Sequence, residues 1–208
     1  SPFGAAVGLA KTDDFVKAER IGLILPPNNK DACLFPVTFK NRWAVLQRPD
    51  AGGGIENSWL AYSPDLTHWG RLHCVLPEGH GPAWDAVKVG AGPPPLLTDA
   101  GWLLLYHGVK EYAGQMIYRV GAALLDRDRP HKVIARSPRC LFKAVEPYEV
   151  SGLVPNVVFP TGIIRRGDDL WIYYGAADTC ICLATVKLDD LINIILEEPV
   201  EDSRLANM

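Results

Sequence analysis

Short apolar runs, each bracketed by Gly, Pro, Asn or Asp, follow one another along the chain with little amphipathic helical periodicity. Trp43-Ala44-Val45-Leu46, Trp102-Leu103-Leu104-Leu105-Tyr106 and Leu170-Trp171-Ile172-Tyr173-Tyr174 are rich in aromatic and aliphatic residues. Their length and flanking turn residues predict strands rather than buried helix. Each follows a proline-led segment: Phe35-Pro36-Val37, Pro95-Leu96-Leu97 and Phe159-Pro160. The intervening Lys40-Asn41, Asp99-Ala100-Gly101 and Gly167-Asp168 read as hairpin turns. A second kind of run alternates with the first. Its copies are centred on Ala10, Ala61, Ala123 and Ala184, and the first three are followed by a further strand signal at Ile21–Leu25, Leu72–Leu76 and Val133-Ile134. The last copy runs instead into a helical pattern around Leu188 to Leu196.

Four short strands within a period of roughly 50–60 residues are the sequence signature of propeller blades. The expected fold class is all-β, a β-propeller that is incomplete in this chain. Residues 1–208 are expected to form one partial propeller domain of about three and a half blades. The repeat starts partway through, so N-terminal blades are expected to be missing from this chain, whether lost or supplied by another.

Composition narrows the function classes. The net charge of −3 and pI near 5.9 argue against a nucleic-acid partner. No apolar run reaches the roughly 18 residues of a membrane span, and the N-terminus has no leader pattern. Five cysteines, an odd number without paired metal-ligand spacing, predict buried, reduced thiols, no metal site and a cytoplasmic protein.

Three polar residues close the second strong strand of successive repeats: Arg48, His107 and Asp178. Equivalent positions in a radial array converge on the axis, which predicts a shared central pocket. Lys88 stands between Val87 and Val89 ahead of Gly90-Ala91-Gly92-Pro93-Pro94-Pro95. It reads either as a solvated surface charge or as a point charge for an anion. A P-loop is excluded because no Gly-Lys-Ser/Thr follows. Glu56, Glu146 and Glu149 are candidate acids, with a backbone-bonded turn carboxylate as the plainer reading of Glu149. His68, His73, His80 and His131 have no metal-ligand spacing and read as surface or turn residues.

The series Asn29-Lys30-Asp31, Leu34-Phe35-Pro36, Gln47-Arg48-Pro49, Ser63-Pro64-Asp65-Leu66-Thr67-His68-Trp69, Lys88 to Pro95, Gly101 to Gly108, Tyr118 to Asp126, Pro155 to Pro160 and Tyr173 to Asp178 resembles glycoside hydrolase family 130 over nearly the whole chain. The resemblance implies a five-bladed propeller and inverting phosphorolysis of β-mannosides to α-mannose 1-phosphate. Inorganic phosphate would be the co-substrate, with no other cofactor. It puts Arg48, Lys88 and His107 at phosphate-binding positions, with Tyr118 beside them and Lys30 at a further basic position. Asp178 falls on a sugar-holding carboxylate, and Trp84 and Asp85 have the best claim to a leaving-group subsite.

One departure matters. The family's catalytic acid lies in an N-terminal Glu-Asp-Pro-Arg motif that this sequence lacks. No catalytic residue is therefore assigned in this chain, and the acid is expected in the missing N-terminal segment. Two other readings stand beside phosphorolysis: a shortened, non-catalytic propeller that binds sugar or phosphate or closes a ring as a homo-oligomer, and an inverting β-mannosidase-type hydrolase. Retention of the basic set favours the phosphorylase.

Overall fold

Turn chemistry sets the first complete sheet. Lys40 and Asn41 both adopt positive φ, 48° and 60°, the conformation of a two-residue hairpin turn matched to strand twist. Phe39 and Arg42 exchange backbone hydrogen bonds of 2.8 and 3.0 Å across it. The computed structural model describes residues 2–50, 52 and 56–197. Within them the chain forms four successive antiparallel sheets. The first pairs β1 (Val7–Lys11) with β2 (Glu19–Leu25). The second is a meander of β3 (Asn29–Leu34), β4 (Trp43–Pro49), β5 (Ser58–Ser63) and β6 (Gly70–Leu76).

The third sheet holds β7 (Lys88–Ala91), β8 (Leu96–Thr98), β9 (Gly101–Tyr112), β10 (Gln115–Leu125), β11 (Val133–Arg136) and β12 (Phe142–Lys143). A single turn of helix, α1 (Pro147–Val150), leads to the fourth, made of β13 (Val158–Arg166), β14 (Asp169–Ala176) and β15 (Cys180–Lys187). Helix α2 (Leu188–Leu196) follows directly. It buries Leu188, Leu191 and Ile195, spaced to share one helical face. That face packs on Leu103, Leu124, Leu170 and Ile172.

The predicted repeat is the register of the sheets. Ala10, Ala61, Ala123 and Ala184 fall on β1, β5, β10 and β15, the third-strand position of each unit. The strong apolar runs are β4, β9 and β14. Strand β9 shows why it reads as continuously apolar. Trp102, Leu104 and Tyr106 pack against the second sheet with Phe35, Leu46 and Leu60. The alternate Leu103 and Leu105 pack against the fourth with Leu170 and Ile172. A strand covered on both faces has no polar side to alternate with, and sheets stacked in this way are the packing of propeller blades.

One expectation shifts. The strand predicted at Phe35-Pro36-Val37 lies one step earlier, at β3. Phe35 still donates to Ala44 O at 2.9 Å, but Pro36 has no N–H to continue the ladder. In the third sheet the strand expected after Pro95 forms as β8, parted from β7 by Pro93-Pro94-Pro95, which have no N–H to continue the ladder. Phe159-Pro160 does lie within β13, with a register shift between Pro160 and Gly162.

The cysteines also differ from expectation. All five are free, but only Cys33 is buried, while Cys180 is exposed and the rest lie between. Burial pushes the Cys33 thiol up to about 12.

Candidate phosphate and sugar site

The penultimate residue of β4 meets the middle of β9: Arg48 does end its apolar run, but His107, expected to close its strand, lies inside β9, which runs on to Tyr112. Arg48 and His107 each stand five residues beyond the tryptophan that opens the run, and their side chains approach at 3.2 Å, Arg48 Nη1 to His107 Nε2. Both are buried, 3% and 0% exposed. Two carboxylates hold them. Asp31 Oδ2 lies 3.1 Å from Arg48 Nη2 and 3.3 Å from His107 Nε2. Glu56 Oε2 lies 3.2 Å from Arg48 Nε and 3.8 Å from Lys30 Nζ. The backbone of Glu56 also bridges in parallel to Lys88, and Val89 N donates to Glu56 O at 2.9 Å. The second sheet thereby fixes the start of β7, which carries Lys88.

Lys88 Nζ sits 5.5 Å from the centre of the Tyr118 ring. Tyr118 in turn stacks on His107 at 5.9 Å, and Phe159 from the fourth sheet covers the imidazole at 4.3 Å. Gly90 makes room for the cluster: a Cβ there would collide with Asp31 Oδ2 and the His107 ring, so the close backbone approach requires glycine. Arg48, Lys88, His107, Tyr118 and Lys30 are therefore brought together.

The charges can be read directly. Burial lowers the His107 pKa below its ordinary 6.5; Asp31 opposes this, while Arg48 and Lys88 add to it. The imidazole is neutral near pH 7 and has one N–H. Arg48 can only donate and Asp31 can only accept, so Nε2 serves one of them at a time. Burial pushes the Asp31 carboxyl up, but His107, Arg48 and Lys30 outweigh it and hold the group below 3.8. Arg48 Nε, Asp31 Oδ2, Glu56 Oε2 and His107 Nδ1 are buried without a well-formed hydrogen bond. Unsatisfied polar groups concentrated at one point suit a site whose ligand completes the network.

The other assigned residues lie apart from this cluster. Trp84 stacks on Tyr106 at 5.7 Å and, with Asp85, covers Gly108. Tyr106 and Gly108 flank His107, so they project to the opposite face of β9. The Asp85 carboxylate is taken by Arg136 Nη2 at 2.6 Å. Arg136 also donates to Tyr106 Oη at 2.9 Å and Pro77 O at 2.8 Å. Asp178 is exposed on the turn after β14 at φ 51°. It stands seven residues past Trp171, and buried Ala176 takes the place equivalent to Arg48 and His107.

Glu149 answers to its plainer reading. Its carboxylate accepts from Val145 N, Glu146 N and Tyr174 Oη at 2.7–2.9 Å. Burial raises its pKa, but these bonds outweigh that and hold it below 4.5. The sequence reading missed Asp31 as a partner. The available signal was its place beside Lys30, opposite a strand ending in an arginine that burial obliges to pair.

A family model described as beta-1,4-mannooligosaccharide phosphorylase, Glyco_hydro_130, matches residues 4–197. A beta-1,2-mannobiose phosphorylase from Listeria innocua is 38% identical over 194 residues, covering 93% of this chain and 54% of the relative. A beta-1,4-mannooligosaccharide phosphorylase from Ruminococcus albus is 35% identical, covering 91% and 57%. The chain thus spans somewhat over half the length of these relatives. The solved structure of the Listeria innocua beta-1,2-mannobiose phosphorylase with beta-1,2-mannobiose superposes with a TM-score of 0.89 at 37% identity, covering 95% of this chain and 55% of that one. On the match over residues 4–197 and these relatives, the chain belongs to glycoside hydrolase family 130.

Proposed function

We propose that the chain carries the phosphate half of a β-mannoside phosphorylase site, within one partial propeller domain whose complete ring is five-bladed. The observation that supports this best is the convergence of Arg48, Lys30 and Lys88 on buried, neutral His107. A guanidinium fork, two ammonium charges and an imidazole donor offset the desolvation of a phosphate dianion. Phosphate would displace the carboxylates from part of Arg48 and satisfy the unbonded polar atoms. Tyr118 would hold its position beside Lys88 and add a hydroxyl donor.

In this reading phosphate attacks the anomeric carbon from the side opposite the leaving sugar. An inverting displacement also needs an acid on the leaving oxygen. None of the basic-cluster residues supplies one, so the acid is assigned outside this chain, and no metal or organic cofactor is invoked. The proposed sugar contacts are Asp178 on its exposed turn and Trp84. Asp85 joins them only if Arg136 releases it. A reducing, cytoplasmic setting belongs to the same proposal and is supported by five free thiols. Among the described residues no helix is long and apolar enough to cross a membrane.

Further blades are supported by the flanks. Leu23 on β2 is 68% exposed, and Ile181 on β15 is 79% exposed, whereas inner blades bury both faces. The test is incubation of the chain, joined to the acid-bearing N-terminal segment of a family relative, with β-1,2- and β-1,4-mannobiose, with and without inorganic phosphate. Phosphate-dependent α-mannose 1-phosphate supports the reading. Mannose released without phosphate would overturn it in favour of hydrolysis. No turnover together with no phosphate affinity would remove the site itself.

A further inference from the structure

Cys180 opens β15 and Cys182 follows two residues on, so both thiols project from one face of the strand. Their Sγ atoms lie 3.8 Å apart and are not bonded. The face is the one turned toward the third sheet, where Cys182 packs beside Val120, Phe142 and Tyr174. Cys180, at the strand's open end, is exposed. The backbone beneath them is fixed by the ladder to β14, with Tyr174 opposite Cys182 and Ala176 opposite Cys180. The pair is therefore both held and reachable.

Two features select the ligand. The nearby oxygen donors are spent: Tyr174 Oη donates to Glu149 Oε1, and Glu149 Oε2 accepts two backbone N–H groups. Among the described residues no group of three or more His, Cys, Asp or Glu could hold a metal ion. A four-ligand zinc or iron–sulfur centre lacks its set, while two sulfurs alone suit a soft ion of low coordination number. The spacing also favours an ion over a disulfide. Two residues of strand span about 6.7 Å, at the upper edge of the roughly 4.4–6.8 Å that a disulfide bridges.

We propose that Cys180 and Cys182 form a two-thiolate site for a soft, low-coordinate ion of the monovalent copper type. Binding forms two Cu–S bonds and releases two protons, and no electron is transferred. Because thiolates are the ligands, affinity rises with pH.

The reduced chain, titrated without oxygen against the monovalent copper complex of bathocuproine disulfonate, tests this. The wild type, Cys74→Ser and Cys140→Ser are expected to withdraw one equivalent with the same affinity. Cys180→Ser and Cys182→Ser are each expected to bind at least about tenfold more weakly. Cys180 is exposed, so its serine variant keeps the fold, which an unchanged thermal midpoint confirms. No withdrawal by the wild type, or an unchanged affinity in either the Cys180 or the Cys182 variant, would overturn the two-sulfur site.

Discussion

Arg48 is the residue on which the site turns, because a buried guanidinium must be paired where it stands. Asp31 is its shortest carboxylate contact at 3.1 Å, and it faces His107 as well. Asp31→Asn removes that charge while keeping the shape. It is expected to cost about 2 kcal/mol at neutral pH, by chemical denaturation, because it leaves a buried cation short of a partner. The Asp31 pKa is depressed, so its contribution is present above about 3.8 and is lost as pH falls through the folded value. The gap between wild type and variant should therefore close in acid.

Gly90→Ala tests the other side of the same contact. A methyl group driven against Asp31 and His107 should lower the thermal midpoint and abolish phosphate affinity together. Arg48, Lys88 and His107 were legible because each is a polar residue bordering an apolar run, although β9 continues five residues past His107. Asp31 and Glu56 were harder to read as partners, since the pairing of β3 with β4 and the ion pairs to Arg48 join residues far apart in the sequence. Asp178 was assigned by analogy of strand ends, yet the strand closes two residues before it.

At the scale of elements, contacts between neighbouring sheets hold the blades in register. His73 on β6 stacks on His131, from the loop between β10 and β11, at 4.2 Å and 17°. The Tyr62 hydroxyl lies 3.0 Å from His131 Nδ1. Burial, then His73, Lys132 and Arg129, lower the His131 pKa below 6.5, against Asp126. The unfolded chain therefore binds the proton first, and stability falls as pH drops through about 6.5. Thermal midpoints between about pH 8 and pH 5.5 should fall less steeply for His131→Gln than for the wild type.

Arg136 ties the loop before β7 to its sheet through Asp85, Tyr106 and Pro77. Arg136→Ala strands the Asp85 carboxylate, 4% exposed. It should destabilise by about 3 kcal/mol, and by clearly less in an Asp85→Ala background. The sheets and their repeat were visible in the sequence because strand period and turn residues are local. The strand expected at Phe35-Pro36-Val37 was misplaced onto the far side of its proline, because proline marks where a ladder stops and not which side of it the strand lies on, whereas the strand after Pro95 does form, as β8.

At the scale of the whole molecule, two apolar flanks are exposed, at Leu23 and Ile181, where the proposed further blades would pack. The isolated chain is expected to scatter light as a species heavier than its 22.8 kDa as concentration rises, and Ile181→Lys should reduce the association. Strict monomers at all concentrations would argue that the flanks need no cover. The most direct test of the central claim is calorimetric titration of inorganic phosphate into the chain and into Lys88→Ala. The account predicts one phosphate per chain, bound about tenfold or more weakly once the Lys88 charge is gone. Absence of binding, or equal binding by both proteins, would contradict it.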